Sequence, residues 1–169
     1  VKIKVDDSDF EDPLYGKTYL PRKLKSAFAI PPLNDTDVFT NCMGFVAIEK
    51  DGELVGYNLT AGGGMGMNHN RPETYPRVAD VIGFFAPEHL VDIAKAVLTV
   101  HRDFGDRTDR KHARLKYVIA EQGLDWFREQ VNQRAGITLE DPRPFEFDRQ
   151  GDLFGWHEQT DSNLFFGLH

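Results

Sequence analysis

The dipeptide Asp51-Gly52 constrains the fold most strongly, because it connects two runs in which apolar and polar residues alternate. The runs are Phe45–Glu49 and Glu53–Leu59. An Asp-Gly connection between alternating runs is typical of a β-hairpin, since both residues tolerate the positive φ angles of a tight turn. The sequence therefore predicts an antiparallel strand pair in this region.

A helical spacing of apolar residues replaces the alternation from Pro87 onward. The predicted helices run from Pro87 to just before Gly105, from Thr108 or Asp109 to about Gln122, and from Asp125 to Gly136. A last strand is predicted within Leu153–His169, cut off before its partners. The order of strand, hairpin, loop, three helices and strand favours an α+β domain over a doubly wound fold. We expect a mixed β-sheet with helices packed against it.

Two lysines lie in another alternating run, Leu20–Ile30. A strand here would bury Leu24, Phe28 and Ile30 and point Lys23 and Lys25 together off the opposite face. In a cavity, such a pair would bind a small oxyanion and supply protons to it. On an edge strand, the same pair would only discourage aggregation. The residues alone leave both interpretations open.

Positive charge is concentrated in two short stretches, residues 17–25 and 101–117, of an otherwise acidic chain. The whole sequence has 20 Lys+Arg and 27 Asp+Glu, for a net charge of −7. The two stretches hold ten of those cations and three of those acids. The acidic total argues against a dedicated nucleic-acid binder, whereas the basic stretches suggest an anionic ligand.

The second basic stretch coincides with the start of the second predicted helix. On a helix, Arg110, Lys111 and Arg114 would share one face, and Lys116 would lie on roughly the opposite side. The alternative is a solvated helix face whose charge is offset by nearby aspartates.

A run of glycines, Gly62, Gly63, Gly64 and Gly66, follows the hairpin. It matches neither the dinucleotide-binding nor the P-loop pattern. Successive glycines would let the backbone approach a flat ligand closely and present N–H groups to it. A flexible surface loop is the alternative.

Several classes are disfavoured. Cys42 is the single cysteine, so no disulfide, CxxC zinc site or four-cysteine iron–sulfur site is expected within this chain, and we interpret its thiol as buried or incidental. The histidines lack metal-binding spacing and no nucleophile elbow occurs. No apolar run is long enough to span a membrane and the start does not resemble a signal peptide, so the cytoplasm is the expected compartment.

The chain resembles sulfite reductase haemoproteins, members of the sirohaem/[4Fe-4S] nitrite and sulfite reductase family, from about Tyr15 to its end. The segments that carry the resemblance are, in order, Tyr19–Lys25, Ile30–Asp37, Gly62–Met67, Arg102–Lys111, Ala113–Tyr117 and Arg143–Phe147. Each segment alone is modest support, but together and in this order they strongly support the resemblance.

The resemblance implies the reduction of sulfite to sulfide at a sirohaem coupled to a [4Fe–4S] cluster. Lys23 and Lys25 match the family's catalytic lysines, which hold sulfite and help deliver protons. Arg114 stands where the family has a basic residue that pairs with a sirohaem carboxylate. The other residues implied to bind the cofactor are Gly62, Gly63 and Gly64 along the macrocycle, and Arg22, Arg110, Lys111 and Lys116 in the same motifs. The implied partners are sulfite and an electron donor, either a ferredoxin or a flavoprotein reductase, with no nucleic acid and no membrane.

The family's four cluster cysteines lie in a later region, which this chain does not include. We therefore expect a central piece of a larger enzyme that is inactive alone. The expected organisation is an acidic arm or linker over residues 1–17, a sirohaem-binding half-domain over 18–145, and a linker with the start of a second half-domain over 146–169. The alternatives are a nitrite reductase of the same family and a non-catalytic module that binds an anion or cofactor.

Overall fold

A four-stranded mixed sheet organises residues 11–168, the part of the chain that the computed structural model describes. The strands are β1 (Ser26–Ala29), β2 (Leu33–Asn34), β3 (Met43–Lys50), β4 (Glu53–Ala61), β5 (Asp80–Phe85), β6 (Arg149–Gln150), β7 (Gly155–Glu158) and β8 (Leu164–Gly167). The central sheet has the order β1-β3-β4-β5, in which β1 is parallel to β3 and the other pairs are antiparallel. The predicted α+β class with a mixed sheet is confirmed.

The predicted hairpin is β3 and β4. Lys50 and Glu53 are paired across the turn, and Asp51 and Gly52 have φ angles of 56° and 84°. Both are in the left-handed region, as the tight turn between right-handedly twisted strands requires.

Three helices pack on one face of the sheet: α1 (Leu90–Phe104), α2 (Leu115–Gln122) and α3 (Leu124–Ala135). Gly105, Gly123 and Gly136 follow their last residues, as the sequence predicts. Phe45 and Leu59 from the sheet meet Ile93, Val97 and Phe127 from the helices in the main core. Each of these side chains is almost fully buried, which contributes roughly 2 kcal/mol apiece.

The connecting segment after α3 covers the opposite face of the sheet. There, Ala29, Val38 and Val46 form a smaller core with Phe145 and Phe147. The side chain of Asn58 on β4 ties this segment to the sheet, since its amide donates to the carbonyl of Arg143 at 2.7 Å and its oxygen accepts from the backbone N–H of Arg143 at 2.9 Å. Both faces of the sheet are therefore covered.

The predicted strand over Leu20–Ile30 is wrong in extent and partly wrong in its buried face. Only Ser26–Ala29 forms a strand, and Lys23 and Lys25 precede it. Leu24 does pack on the main core, but Phe28 is 46% exposed and Ile30 70% exposed, because β1 is the sheet edge and Ile30 enters a turn. Ala29 is the fully buried residue, on the opposite face, which the connecting segment covers.

The second helix starts later than predicted, at Leu115 rather than at residue 108 or 109. Asp106 accepts hydrogen bonds from the backbone N–H groups of Thr108 and Asp109, and Asp109 accepts one from the N–H of Lys111. These local side-chain bonds compete with helix formation and close turns instead. The helix face that we predicted for Arg110, Lys111 and Arg114 therefore does not exist.

The end of the chain forms a hairpin of its own, since β7 pairs with β8 in an antiparallel register. The sequence predicts a single strand there that lacks its partners, whereas the structure has two strands that pair with each other. One face of this hairpin is apolar and exposed, with Trp156 paired to Phe166 at a ring separation of 4.9 Å. Of the predicted arm over residues 1–17, positions 1–10 lie outside the described residues.

Candidate functional site

Five of the basic residues that the sequence predicts to bind a ligand line one open cleft of about 600 Å³. The cleft lies between the segment that precedes β1, the turns that precede α2, and the loop that follows the glycine run. Its lining residues are Arg22, Lys23, Gly66, Met67, Asn68, Asp109, Arg110, Lys111, Arg114 and Tyr117. We call it the basic cleft, because these residues include five cations and one carboxylate, which makes it attractive to an anion.

The turns that replace the predicted helix start form one wall of the basic cleft. Asp109 accepts the N–H of Lys111 at 2.8 Å, and this bond, with help from Arg71, lowers the pKa of Asp109. Arg71 donates to the Asp109 carboxylate at 2.8 Å, so the single acid in the lining is paired. The wall thus presents Arg110 and Lys111 through turn geometry rather than along a helix.

The opposite wall is held by an arginine from the same basic stretch. Arg107 donates to the carbonyls of Thr18 at 3.1 Å and Tyr19 at 2.6 Å. This fixes the segment that leads to Arg22 and Lys23 beside the turns. The two basic stretches, far apart in sequence, therefore meet at one place.

Gly62, Gly63 and Gly64 are packed inside the protein, so the interpretation as a surface loop is wrong for this part of the glycine run, whereas Gly66 is exposed. Gly62, Gly63 and Gly64 are buried, and their N–H groups donate to the carbonyls of Cys42, Asn41 and Arg77 at 2.8–3.0 Å. Those N–H groups are committed to the protein and do not point to a ligand. A Cβ on Gly63 would lie 2.3 Å from the Phe39 carbonyl oxygen and 2.5 Å from that of Asn41, which explains the need for glycine.

Arg114 precedes α2 and reaches across to the glycine run. Its Nη2 lies 3.4 Å from Sγ of Cys42, and a Cβ on Gly64 would lie 2.9 Å from the same nitrogen. Its Nε is buried and, among residues 11–168, has no hydrogen-bond partner. The side chain as a whole is only partly buried and lines the open cleft, so its guanidinium is suited to hold an anionic group there. Cys42 itself is fully buried, which confirms our interpretation of its thiol.

Lys116 is buried directly behind the cleft wall, with 1% of its surface exposed. Its ammonium donates to the carbonyls of Gly64 at 3.0 Å, Gly66 at 2.9 Å and Tyr75. The rings of Tyr75 and Tyr117 lie 5.7 and 4.9 Å from Nζ. Burial, followed by the charge of Arg114, lowers the pKa of Lys116. Its three donors are used by the protein, so it does not reach into the cleft.

Lys25 does not line the basic cleft, whereas Lys23 does. Sequence reasoning missed Met67, Asn68 and Tyr117 as lining residues. It also missed the ion pair between Arg71 and Asp109. Met67 is 63% exposed, and an exposed methionine beside a glycine run was the one available signal for an apolar wall.

The cleft therefore combines cations with an apolar surface. A small inorganic anion needs only the first, whereas a flat ligand with an anionic rim uses both. Among the described residues there is no group of three or more His, Cys, Asp or Glu side chains that could hold a metal ion. Within residues 11–168, none of the helices has the length and apolar character to cross a membrane.

Comparison with known sequences gives a family match. A profile described as the nitrite and sulphite reductase 4Fe-4S domain matches residues 4–139. The sulfite reductase [NADPH] hemoprotein beta-component of Myxococcus xanthus is 53% identical over 159 residues, which are 94% of this chain and 28% of that protein. The protein of the same name from Acidithiobacillus ferrooxidans is 56% identical over 151 residues, 89% of this chain and 27% of that protein.

A solved structure has the same fold over most of the chain. The Mycobacterium tuberculosis NirA protein is similar with a TM-score of 0.72 and 28% sequence identity, over 86% of this chain and 26% of the NirA chain. The chain thus spans a little over a quarter of the length of the proteins that it matches.

Proposed function

The chain belongs to the nitrite and sulphite reductase 4Fe-4S domain family, and on that premise we propose that it forms the basic, sirohaem-facing part of a sulfite reductase haemoprotein. The observation that carries the proposal is the convergence of Arg22, Lys23, Arg110, Lys111 and Arg114 on one cleft. The relatives at about half identity carry a sulfite reductase name, which favours sulfite over nitrite as substrate.

The residues present fit an anionic macrocycle. Sirohaem has a flat apolar body with carboxylates around its rim, and the basic cleft offers an exposed methionine and five cations. Arg114, which lines the basic cleft, would hold a carboxylate of that rim. Arg22, Arg110 and Lys111 would add charge around it, and Gly64 lets Arg114 lie close to the backbone.

When bound, sirohaem coupled to a [4Fe–4S] cluster would relay six electrons from the electron donor, which with six protons convert sulfite to sulfide and three waters. Lys23 would hold a sulfite oxygen by a charge-assisted hydrogen bond and donate a proton to it. We assign Lys25 the same role through the family resemblance. Cys42 is this chain's only cysteine, so the cluster's cysteine ligands would come from another part of the protein.

The electron donor is proposed to be a reductase that draws on NADPH, since the relatives carry NADPH in their names. We propose residues 18–145 as the sirohaem-binding half-domain, residues 1–17 as the arm that precedes it, and residues 146–169 as the linker and the beginning of a second half-domain. We place the reaction in the cytoplasm, with neither nucleic acid nor membrane as a partner.

The test uses the whole enzyme that contains this chain. Lys23→Ala and Lys25→Ala are expected to lower sulfite turnover strongly while the sirohaem content, read from the visible spectrum, stays normal. Lys50→Ala, which removes an exposed cation outside the basic cleft, is the control for charge loss and should keep normal turnover. Normal rates in both the Lys23 and the Lys25 variants would contradict the assignment.

The isolated chain separates this proposal from a non-catalytic module. It is expected to show no sulfite reduction, because it lacks the cluster ligands, and to bind sirohaem with a change in the visible spectrum. Tight binding of RNA or of a phosphorylated metabolite in place of sirohaem would favour the module. Faster reduction of nitrite than of sulfite by the whole enzyme would favour the nitrite reductase alternative.

A further inference from the structure

Lys116 differs from the cations of the basic cleft because its ammonium is bound by carbonyl groups of the protein and does not reach the cleft. Its ammonium is buried, and its three donors are taken by the carbonyls of Gly64, Gly66 and Tyr75. Three carbonyl acceptors around one nitrogen require the protonated form, since a neutral amine has only two N–H donors. The geometry therefore identifies a buried, charged lysine.

No carboxylate among residues 11–168 forms an ion pair with Lys116. The charge is stabilised by carbonyl dipoles and by the faces of Tyr75 and Tyr117 instead. Its net positive charge is not cancelled, and it lies directly behind a wall that an anion would approach. In a low-dielectric environment, such a charge acts on a nearby anion more strongly than an exposed lysine does.

The three carbonyls belong to the two ends of one loop. Gly64 and Gly66 lie at its start and Tyr75 at its end. The loop contributes Gly66, Met67 and Asn68 to the lining of the basic cleft. Gly64 is also paired with Arg77 through two backbone hydrogen bonds of 2.8 and 3.0 Å. One ammonium thus closes the loop at its base.

We propose that Lys116 is a positioning residue that holds the loop 64–75 as a wall of the basic cleft and supplies an uncompensated positive charge behind it. The role of Lys116 in holding the loop follows from the contacts in the chain without a ligand. The effect of its charge on a ligand rests on the proposed function. Lys116 therefore acts on the ligand through the loop and through its charge, without contact.

The test measures amide hydrogen exchange at residues 65–75 and sirohaem binding in the chain, using Lys116→Met and Lys111→Met as a charge-matched pair. Lys116→Met is expected to speed exchange in the loop at least tenfold and to weaken sirohaem binding at least tenfold. Lys111→Met removes an exposed lining cation, so it should weaken binding severalfold and leave loop exchange unchanged.

Equal loop exchange in the two variants would overturn the positioning role. Equal losses of sirohaem affinity would overturn the contribution of the buried charge. If Lys116→Met does not fold, Lys116→Gln, which keeps two N–H donors but no charge, is judged by the same readouts: unchanged exchange and affinity would overturn the proposal. Failure of the wild-type chain to bind sirohaem would count against the proposed function, whereas loop exchange decides the positioning role independently.

Discussion

The open surface of the basic cleft and the packed layer behind it draw their cations from the same stretch of sequence. Arg110 and Lys111 are exposed and line the cleft. Lys116, a few residues later, is buried with its ammonium bonded to three carbonyls, and Arg107, a few residues earlier, donates to carbonyls of the facing segment. Charge density in a sequence therefore does not distinguish a cation that binds a ligand from one that builds the site.

The difference predicts two kinds of mutational effect. Substitutions in the packed layer should lower the free energy of unfolding, because they disturb atoms in close contact. Substitutions on the open surface should leave stability almost unchanged and weaken the binding of an anion.

The largest effect is expected from Gly63→Ala, compared with Gly66→Ala. A Cβ at position 63 would meet two backbone carbonyl oxygens at 2.3 and 2.5 Å, whereas one at position 66 has no atom within 4 Å. Gly63→Ala should lower the free energy of unfolding by about 3 kcal/mol, and Gly66→Ala by less than about 1 kcal/mol. Urea unfolding of both variants measures this, and equal losses would contradict the close packing around Gly63.

A smaller effect, on binding only, is expected from Arg110→Met. It removes one exposed cation of the cleft, so sirohaem affinity should fall about tenfold, or roughly 1.4 kcal/mol, while unfolding changes by no more than ~0.5 kcal/mol. Titration followed by visible absorption measures the affinity, with Lys50→Met as the control outside the cleft. A loss of stability without a loss of affinity would place Arg110 in the packed layer instead.

The smallest effect is expected from pH, through His101 behind the turns that form the cleft wall. Burial lowers the pKa of His101, and its Nε2 lies 2.9 Å from the carbonyl oxygen of Ala113. Because the folded state favours the neutral ring, His101 stabilises the fold above its unfolded pKa near 6.5, and this contribution is lost as the pH falls toward the lower folded value.

Thermal unfolding between about pH 7.5 and about pH 5 measures this contribution, with His101→Gln as the non-titrating comparison. The drop in melting temperature should be larger in the wild type than in the variant. An equal drop in both proteins would show that His101 does not carry the pH dependence.

Local turn chemistry made much of the fold predictable from sequence. The hairpin follows from Asp51 and Gly52, whose positive φ angles match their residue types. The three helices end at glycines as predicted, because the position just past the end of a helix favours glycine.

Other features depended on long-range contacts that periodicity does not contain. The exposure of Phe28 follows from the position of β1 at the sheet edge, which its own alternation cannot show. The late start of α2 depends on which hydrogen bonds Asp106 and Asp109 make. The burial of Lys116 depends on a loop about 40 to 50 residues away in sequence closing over it.

The salt dependence of sirohaem binding tests most directly whether the open cations, rather than the packed ones, take the anionic ligand. The wild-type affinity should fall steeply as ionic strength rises, because exposed charges are screened by salt. The slope should flatten in steps when Arg22, Arg110 and Arg114 are changed to glutamine one after another. A slope that is the same in the wild type and in all three variants would contradict the account.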